Sequence, residues 1–229
     1  MCGRYTLKNP GAIAAVYPAA AGLIEALGAR YNVAPSQALP VVVRDGDRAA
    51  AARMAWGLVP AWERSARPRL APTNARSEEA LQKPLFRAAL QKRRCLVPAD
   101  GFYEWRRVGE KTKVPHHIQR LDGRPFAMAG IYEEANDLRP ATFALLTTGP
   151  NELMAPIHDR MPVILTAEGE RRWLADEGLD AATLASLATP YPAAELEAFT
   201  VSPLVNNARH DTPDCARPTP YLEDPTFPW

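Results

Sequence analysis

The chain has 229 residues, with Lys+Arg 27 against Asp+Glu 26, and is 47% hydrophobic and 23% charged. That balance excludes a disordered chain, and it excludes a global electrostatic field strong enough to draw the protein onto nucleic acid or an acidic membrane. Phosphate binding, if any, must come from a local basic patch. The 23 prolines are about twice the usual share, and Pro is barred from helix interiors and central strands, so many ordered loops and short elements are expected. The length predicts one domain, 1–229, with its core over about 2–207 and a Pro-rich C-terminal segment over 208–229.

In chain order, Asn9-Pro10 supplies a cap and a first turn, and the apolar stretch from Gly11 to Gly28 is interrupted by Pro18 and Glu25. It predicts two short amphipathic helices rather than a secretory signal or a membrane span. Strands are predicted at Leu39 to Arg44, Ala51 to Trp56, Cys95 to Pro98, Gly101 to Arg107, Val114 to Arg120, Pro125 to Tyr132, Thr142 to Thr148, Met161 to Leu165 and Ala198 to Ser202. Helices are predicted at Pro84 to Arg94, Asn151 to Ile157, Thr166 to Asp176 and Ala181 to Ala188. Consecutive strand runs point to an α+β fold and away from a doubly wound parallel sheet. Pro60 to Ser77, with Arg64, Arg67, Arg69, Arg76 and Trp62, reads as a long basic loop of the kind that carries function.

Cys2, Cys95 and Cys215 contain no Cys-x-x-Cys pair, which argues against a disulfide framework or a structural zinc site and for a reducing, cytoplasmic setting. No metal or cofactor is expected. Cys95 lies in an apolar strand and reads as core. Cys2 differs: with Met1 removed it carries a free amine and a thiol on one residue, a 1,2-aminothiol that can attack an amide or condense with an aldehyde. The tetrapeptide Met1-Cys2-Gly3-Arg4 is equally compatible with a Cys that merely follows the start. Glu104, between Tyr103 and Trp105, can have its pKa raised by apolar neighbours and serve as an acid/base group, although an outward-facing Glu in an alternating strand fits the pattern better when taken alone. His158-Asp159-Arg160 sits at an element boundary, where the imidazole is as readily functional as structural. Asn74-Ala75-Arg76-Ser77 offers an amide, a guanidinium and a hydroxyl, which could also do no more than cap a helix. His116 and His117 alternate, so at most one faces any site.

Taken together, these segments resemble the SOS-response-associated peptidase family. Met1-Cys2-Gly3-Arg4, Tyr31-Asn32-Val33-Ala34-Pro35, Trp56-Gly57-Leu58-Val59-Pro60, Asn74-Ala75-Arg76, Pro98 to Trp105, Ile157 to Pro162 and Val205-Asn206-Asn207 occur in the family's order and spacing, from Met1 to about Asn207. The resemblance implies a mainly antiparallel, barrel-like sheet with peripheral short helices. It implies a monomer that acts on single-stranded DNA containing abasic sites and has no membrane or metal partner, cytoplasmic and nucleoid-associated when bound to DNA. It further implies that Cys2, exposed by loss of Met1, captures the abasic aldehyde as a thiazolidine, with Asn74 orienting, Glu104 as acid/base group and His158 assisting ring opening. Arg4, Pro35, Trp62, Arg76, Thr147 and Arg160 match positions that line the family's DNA groove. Where some members have a second Trp after the position of Trp62, this chain has Glu63. Three rivals remain: an N-terminal-nucleophile glutamine amidotransferase, a non-catalytic single-strand binding module, and a peptidase that acts only on its own Met1-Cys2 bond.

Overall fold

The computed structural model describes residues 2–65, 68–109 and 112–220. Its elements are β1 (Tyr5–Leu7), α1 (Pro10–Val16), α2 (Ala21–Leu27), β2 (Arg30–Val33), β3 (Ala38–Asp45), β4 (Arg48–Trp56), β5 (Asn74–Arg76), α3 (Ser77–Ala80), α4 (Pro84–Lys92), β6 (Arg94–Ala99), β7 (Gly101–Val108), β8 (Thr112–Arg120), β9 (Phe126–Glu133), β10 (Thr142–Thr148), β11 (Met161–Pro162), β12 (Ile164–Leu165), α5 (Ala167–Leu174), α6 (Ala181–Leu187) and β13 (Leu196–Thr200), with 3-10 turns at Pro203–Asn206 and Pro213–Cys215. The helices start where the capping chemistry predicts. Asn9 Oδ1 accepts from Ala12 N, Thr166 Oγ1 from Gly169 N and Asp180 Oδ1 from Thr183 N.

The α+β class holds, and the expected barrel takes the form of two antiparallel-rich sheets rather than one closed barrel. A five-stranded sheet runs β13-β8-β7-β1-β2, and an eight-stranded sheet runs β11-β10-β4-β3-β6-β9-β12, with β5 on β10. In the larger sheet β9 also pairs with β10, so that part of it curls back on itself, but the smaller sheet stays open at β13 and β2. The core between them is apolar and aromatic. Trp56 lies stacked on Phe143 at 6.2 Å and tilted against Tyr5 at 5.3 Å, and each such buried ring contributes about 2–3 kcal/mol by leaving water.

Three features of this frame position the site. Trp56 Nε1 donates to Thr73 O at 2.9 Å, which fixes the backbone immediately before β5. Asp100 joins the β6–β7 turn to the N-terminal segment, accepting from Thr6 Oγ1 at 2.6 Å and from Asn9 N at 2.8 Å. The next residue must be Gly, because a Cβ at Gly101 would lie 2.3 Å from His117 Nε2. Finally, the C-terminal segment is tied to β2: the buried Asn32 amide donates to Val205 O, Asn207 O and His210 O, and Asp211 accepts from Arg30 Nε, Tyr31 N and Asn32 N. Among the described residues no helix is long and apolar enough to cross a membrane.

Candidate active site

β7 alternates its side chains between two environments. Phe102 joins the main core, whereas Tyr103 packs with Val201, Val205 and Cys215 under the C-terminal segment. Glu104 therefore shares the Phe102 side of the sheet, where the carboxyl is 2% exposed. Burial in this apolar wall pushes its pKa up to about 7, so near neutrality it exchanges between acid and base forms.

Cys2 precedes β1, which pairs with β7 through Tyr5↔Phe102. Its side chain is fully buried, and burial together with the Glu104 charge pushes the thiol pKa far up, so that the thiol is neutral. Its backbone is held from the opposite sheet. Asn74, at the start of β5 and opposite Leu145 of β10, donates from Nδ2 to Cys2 O at 2.9 Å and to Thr73 Oγ1 at 3.0 Å.

His158 arrives on a turn capped by Asn151, whose Oδ1 accepts from Met154 N at 2.9 Å, and His158 N itself donates to Met154 O at 2.8 Å. The predicted helix over Asn151–Ile157 is a run of hydrogen-bonded turns instead, short enough to release the chain into β11. His158 Nε2 lies 3.8 Å from Glu104 Oε2, too far for a direct hydrogen bond. On the other side of the ring Nδ1 accepts from Arg160 N at 3.0 Å and lies 2.9 Å from Asp159 Oδ1. These two contacts suit the two protonation states: the neutral ring accepts from the amide and points Nε2–H at Glu104, and the imidazolium turns an Nδ1–H on the Asp159 carboxylate. Burial lowers the His158 pKa, which favours the neutral ring.

Glu104 and His158 open onto a pocket of about 380 Å³ whose wall also includes Trp105, Lys113 and Asn206. Trp105 Nε1 donates to Asn206 Oδ1 at 2.7 Å, so the C-terminal segment forms one side of it. Lys113 was not among the candidates read from sequence, and Asn206 was read only as part of the Val205-Asn206-Asn207 segment, with no role assigned. A lysine near a hairpin end carries no local signal, and Asn206 becomes part of the wall only through a contact to a residue 101 positions earlier.

The residues expected to line a groove fall into different situations. Trp62 is 62% exposed, Arg76 is exposed and 3.5 Å from Glu79, and Pro35 is half-buried in the turn between β2 and β3. Arg160 clamps Glu78 through two 2.8 Å hydrogen bonds and donates to Thr147 O at 2.6 Å, with Thr147 fully buried beneath it. Arg4 donates to Asn32 Oδ1 at 2.8 Å and to the carbonyls of Val205 and Asn206, so it braces the C-terminal segment. Glu63 Oε1 accepts from Ser65 N at 2.8 Å, and its carbonyl accepts from Arg139. Arg67 of the basic loop lies outside the described residues. His116 and His117 are both fully buried and lie on opposite faces of β8, His116 across from Glu104 and His117 across from Tyr103. Among the described residues no group of three His, Cys, Asp or Glu could hold a metal ion.

The family model described as "SOS response associated peptidase (SRAP)" matches residues 1–208. The chain belongs to the SRAP family. It is 44% identical over 189 residues to the abasic site processing protein YoqW of Bacillus subtilis, covering 80% of this chain and 84% of that one. It is 41% identical over 185 residues to the abasic site processing protein YoaM of the same organism, covering 80% and 82%. Among solved structures, a protein from Bacteroides thetaiotaomicron superposes with a TM-score of 0.72 at 31% identity, covering 80% of this chain and 82% of that one.

Proposed function

We propose that this SRAP-family protein processes abasic sites in single-stranded DNA, by covalent capture of the ring-opened sugar aldehyde on Cys2 after loss of Met1. The observation that carries the reading is a chain of neighbours: Asn74 donates to the Cys2 carbonyl at 2.9 Å, the Glu104 charge acts on the buried Cys2 thiol, and Glu104 stands 3.8 Å from His158 where both line one pocket. The relatives YoqW and YoaM, named as abasic site processing proteins, support the same substrate.

The chemistry follows from the protonation states. The abasic sugar is mostly closed hemiacetal, and as the ring opens the imidazolium form of His158 gives its Nε2 proton to the ring oxygen while the Glu104 carboxylate takes the proton of the anomeric hydroxyl. The Cys2 amine adds to the aldehyde carbon. Protonated Glu104 then gives its proton to the departing hydroxyl, releasing water and leaving a protonated imine. The thiol is neutral and a poor first nucleophile, so it acts second: Glu104, now a carboxylate, takes the thiol proton as sulfur adds to the imine carbon and closes the five-membered ring. The net change is aldehyde plus aminothiol giving thiazolidine plus one water. Single-stranded preference is supported by exposed Trp62, a stacking platform worth about 1–3 kcal/mol per base, and by the exposed Arg76.

The test is crosslinking of an abasic oligonucleotide followed by denaturing electrophoresis. Cys2→Ala abolishes the stable adduct while undamaged strands still bind, and Cys2→Ser is nearly as inactive because an oxazolidine is the weaker trap. A heat-stable adduct with Cys2→Ala overturns the reading and transfers the nucleophile role to a lysine.

A further inference from the structure

We propose that Lys113 binds the phosphodiester flanking the abasic sugar, making it a lesion-recognition residue of the pocket that holds Glu104 and His158. The inference rests on the function proposed above and adds to it the group that receives the lesion's own phosphate. A sugar seated between Glu104 and His158 brings its phosphates into the same pocket, and Lys113 is the cation in the lining of that pocket.

The other basic side chains nearby already have counterparts. Arg160 is paired fork to fork with Glu78, Arg4 is spent on Asn32 and two carbonyls, and Arg76 stands beside Glu79. Lys113 is exposed and pairs with no carboxylate among the described residues, so a phosphate meets an uncompensated charge there. Across the hairpin it faces Arg107, also exposed, which extends the basic flank away from the pocket.

A second consequence links binding to chemistry. The groups that act on His158 are Glu104 from β7, Asp159 and the Arg160 amide beside it, the positive amino terminus, and Lys113 from β8. Burial lowers the His158 pKa most, and the positive charge of Lys113 lowers it further. A phosphate on Lys113 cancels that charge, so lesion binding raises the His158 pKa and favours the protonated ring needed to open the hemiacetal. By linkage, protonation of His158 in turn favours phosphate binding.

The experiment uses the full-length protein, Lys113→Met and Lys113→Arg, with an undamaged single-stranded oligonucleotide as probe. Affinity is measured against salt, and the His158 imidazole is titrated by NMR, its resonance assigned with His158→Gln. Lys113→Met is expected to weaken binding several-fold at low salt, to reduce the log-log salt slope by about 0.7, to raise the His158 pKa in the free protein and to blunt its further rise on binding. Lys113→Arg retains all four properties. Unchanged affinity and slope in Lys113→Met, or a His158 titration indifferent to the substitution, overturns the proposal. Adduct formation by the wild-type protein with an abasic strand is scored in parallel. If it fails while Lys113→Met still loses affinity and slope, the covalent reading falls and the phosphate site stands.

Discussion

Glu104 condenses the account into one side chain. A carboxyl with an ordinary pKa of 4.5 that is held near about 7 stays protonated in the folded state while the unfolded chain has already released its proton. The folded protein therefore binds the extra proton between these values, and its stability falls as pH rises from about 4.5 to about 7, with no further loss above. The full gap corresponds to roughly 3 kcal/mol. Glu104→Gln removes this cost, so its melting temperature should exceed that of the wild type at pH 8, with the gain vanishing towards pH 4. A Gln variant equally or less stable at pH 8 contradicts the burial argument. The same substitution should slow adduct formation by about 100- to 10,000-fold, the range of a general acid/base group, and leave affinity for an undamaged strand nearly unchanged. Single-turnover crosslinking over pH 5 to 9 reads both the rate and the midpoint. His158→Ala should slow capture less, where solvent protons substitute, and should slow reversal as well, because both directions pass through the same imine. Equal forward and reverse rates in wild type and variant would remove His158 from the chemistry.

At the level of elements, the long strands and helices were legible because their period and caps are local. β10 spans Thr142–Thr148 as predicted, and α4 and α6 end within two residues of expectation. The misses share a cause. β1, β2 and β5 are three or four residues long, too short for a period, and exist because partners distant in sequence supply their hydrogen bonds. Val163 divides the predicted Met161–Leu165 strand, giving β11 on β10 and β12 on β9. The short pieces are the ones that bring Cys2 and Asn74 together. The stretch around Asn206, which carries no periodic signal, forms part of the pocket wall, and Asn32 is its anchor. Asn32→Ala leaves three carbonyls of the C-terminal segment without that donor, the Val205 one buried, and should destabilise the protein by about 2–4 kcal/mol. Urea denaturation measures the loss, and a loss below about 0.5 kcal/mol would show that the segment is held elsewhere.

Over the whole molecule, near-neutral net charge confines DNA binding to a local patch, and the fold shows which cations near the site are already compensated. Carboxylates and carbonyls that compensate an arginine come from other elements, as Glu78 does for Arg160, so counting arginines near motifs overstates the charge available to phosphate. With the exposed Arg76 and Lys113 each contacting one phosphate, the log-log salt slope for an undamaged single strand should be about −1.4, at about −0.7 per contact. A slope near zero would mean that stacking dominates. The central claim concerns a bond, and intact mass of the purified protein, alone and after incubation with an abasic oligonucleotide, addresses it most directly. The chain is expected to lack Met1 and to gain the mass of the oligonucleotide less one water, with no such species from Cys2→Ala. An active protein that retains Met1, or an adduct that persists in Cys2→Ala, would contradict that claim.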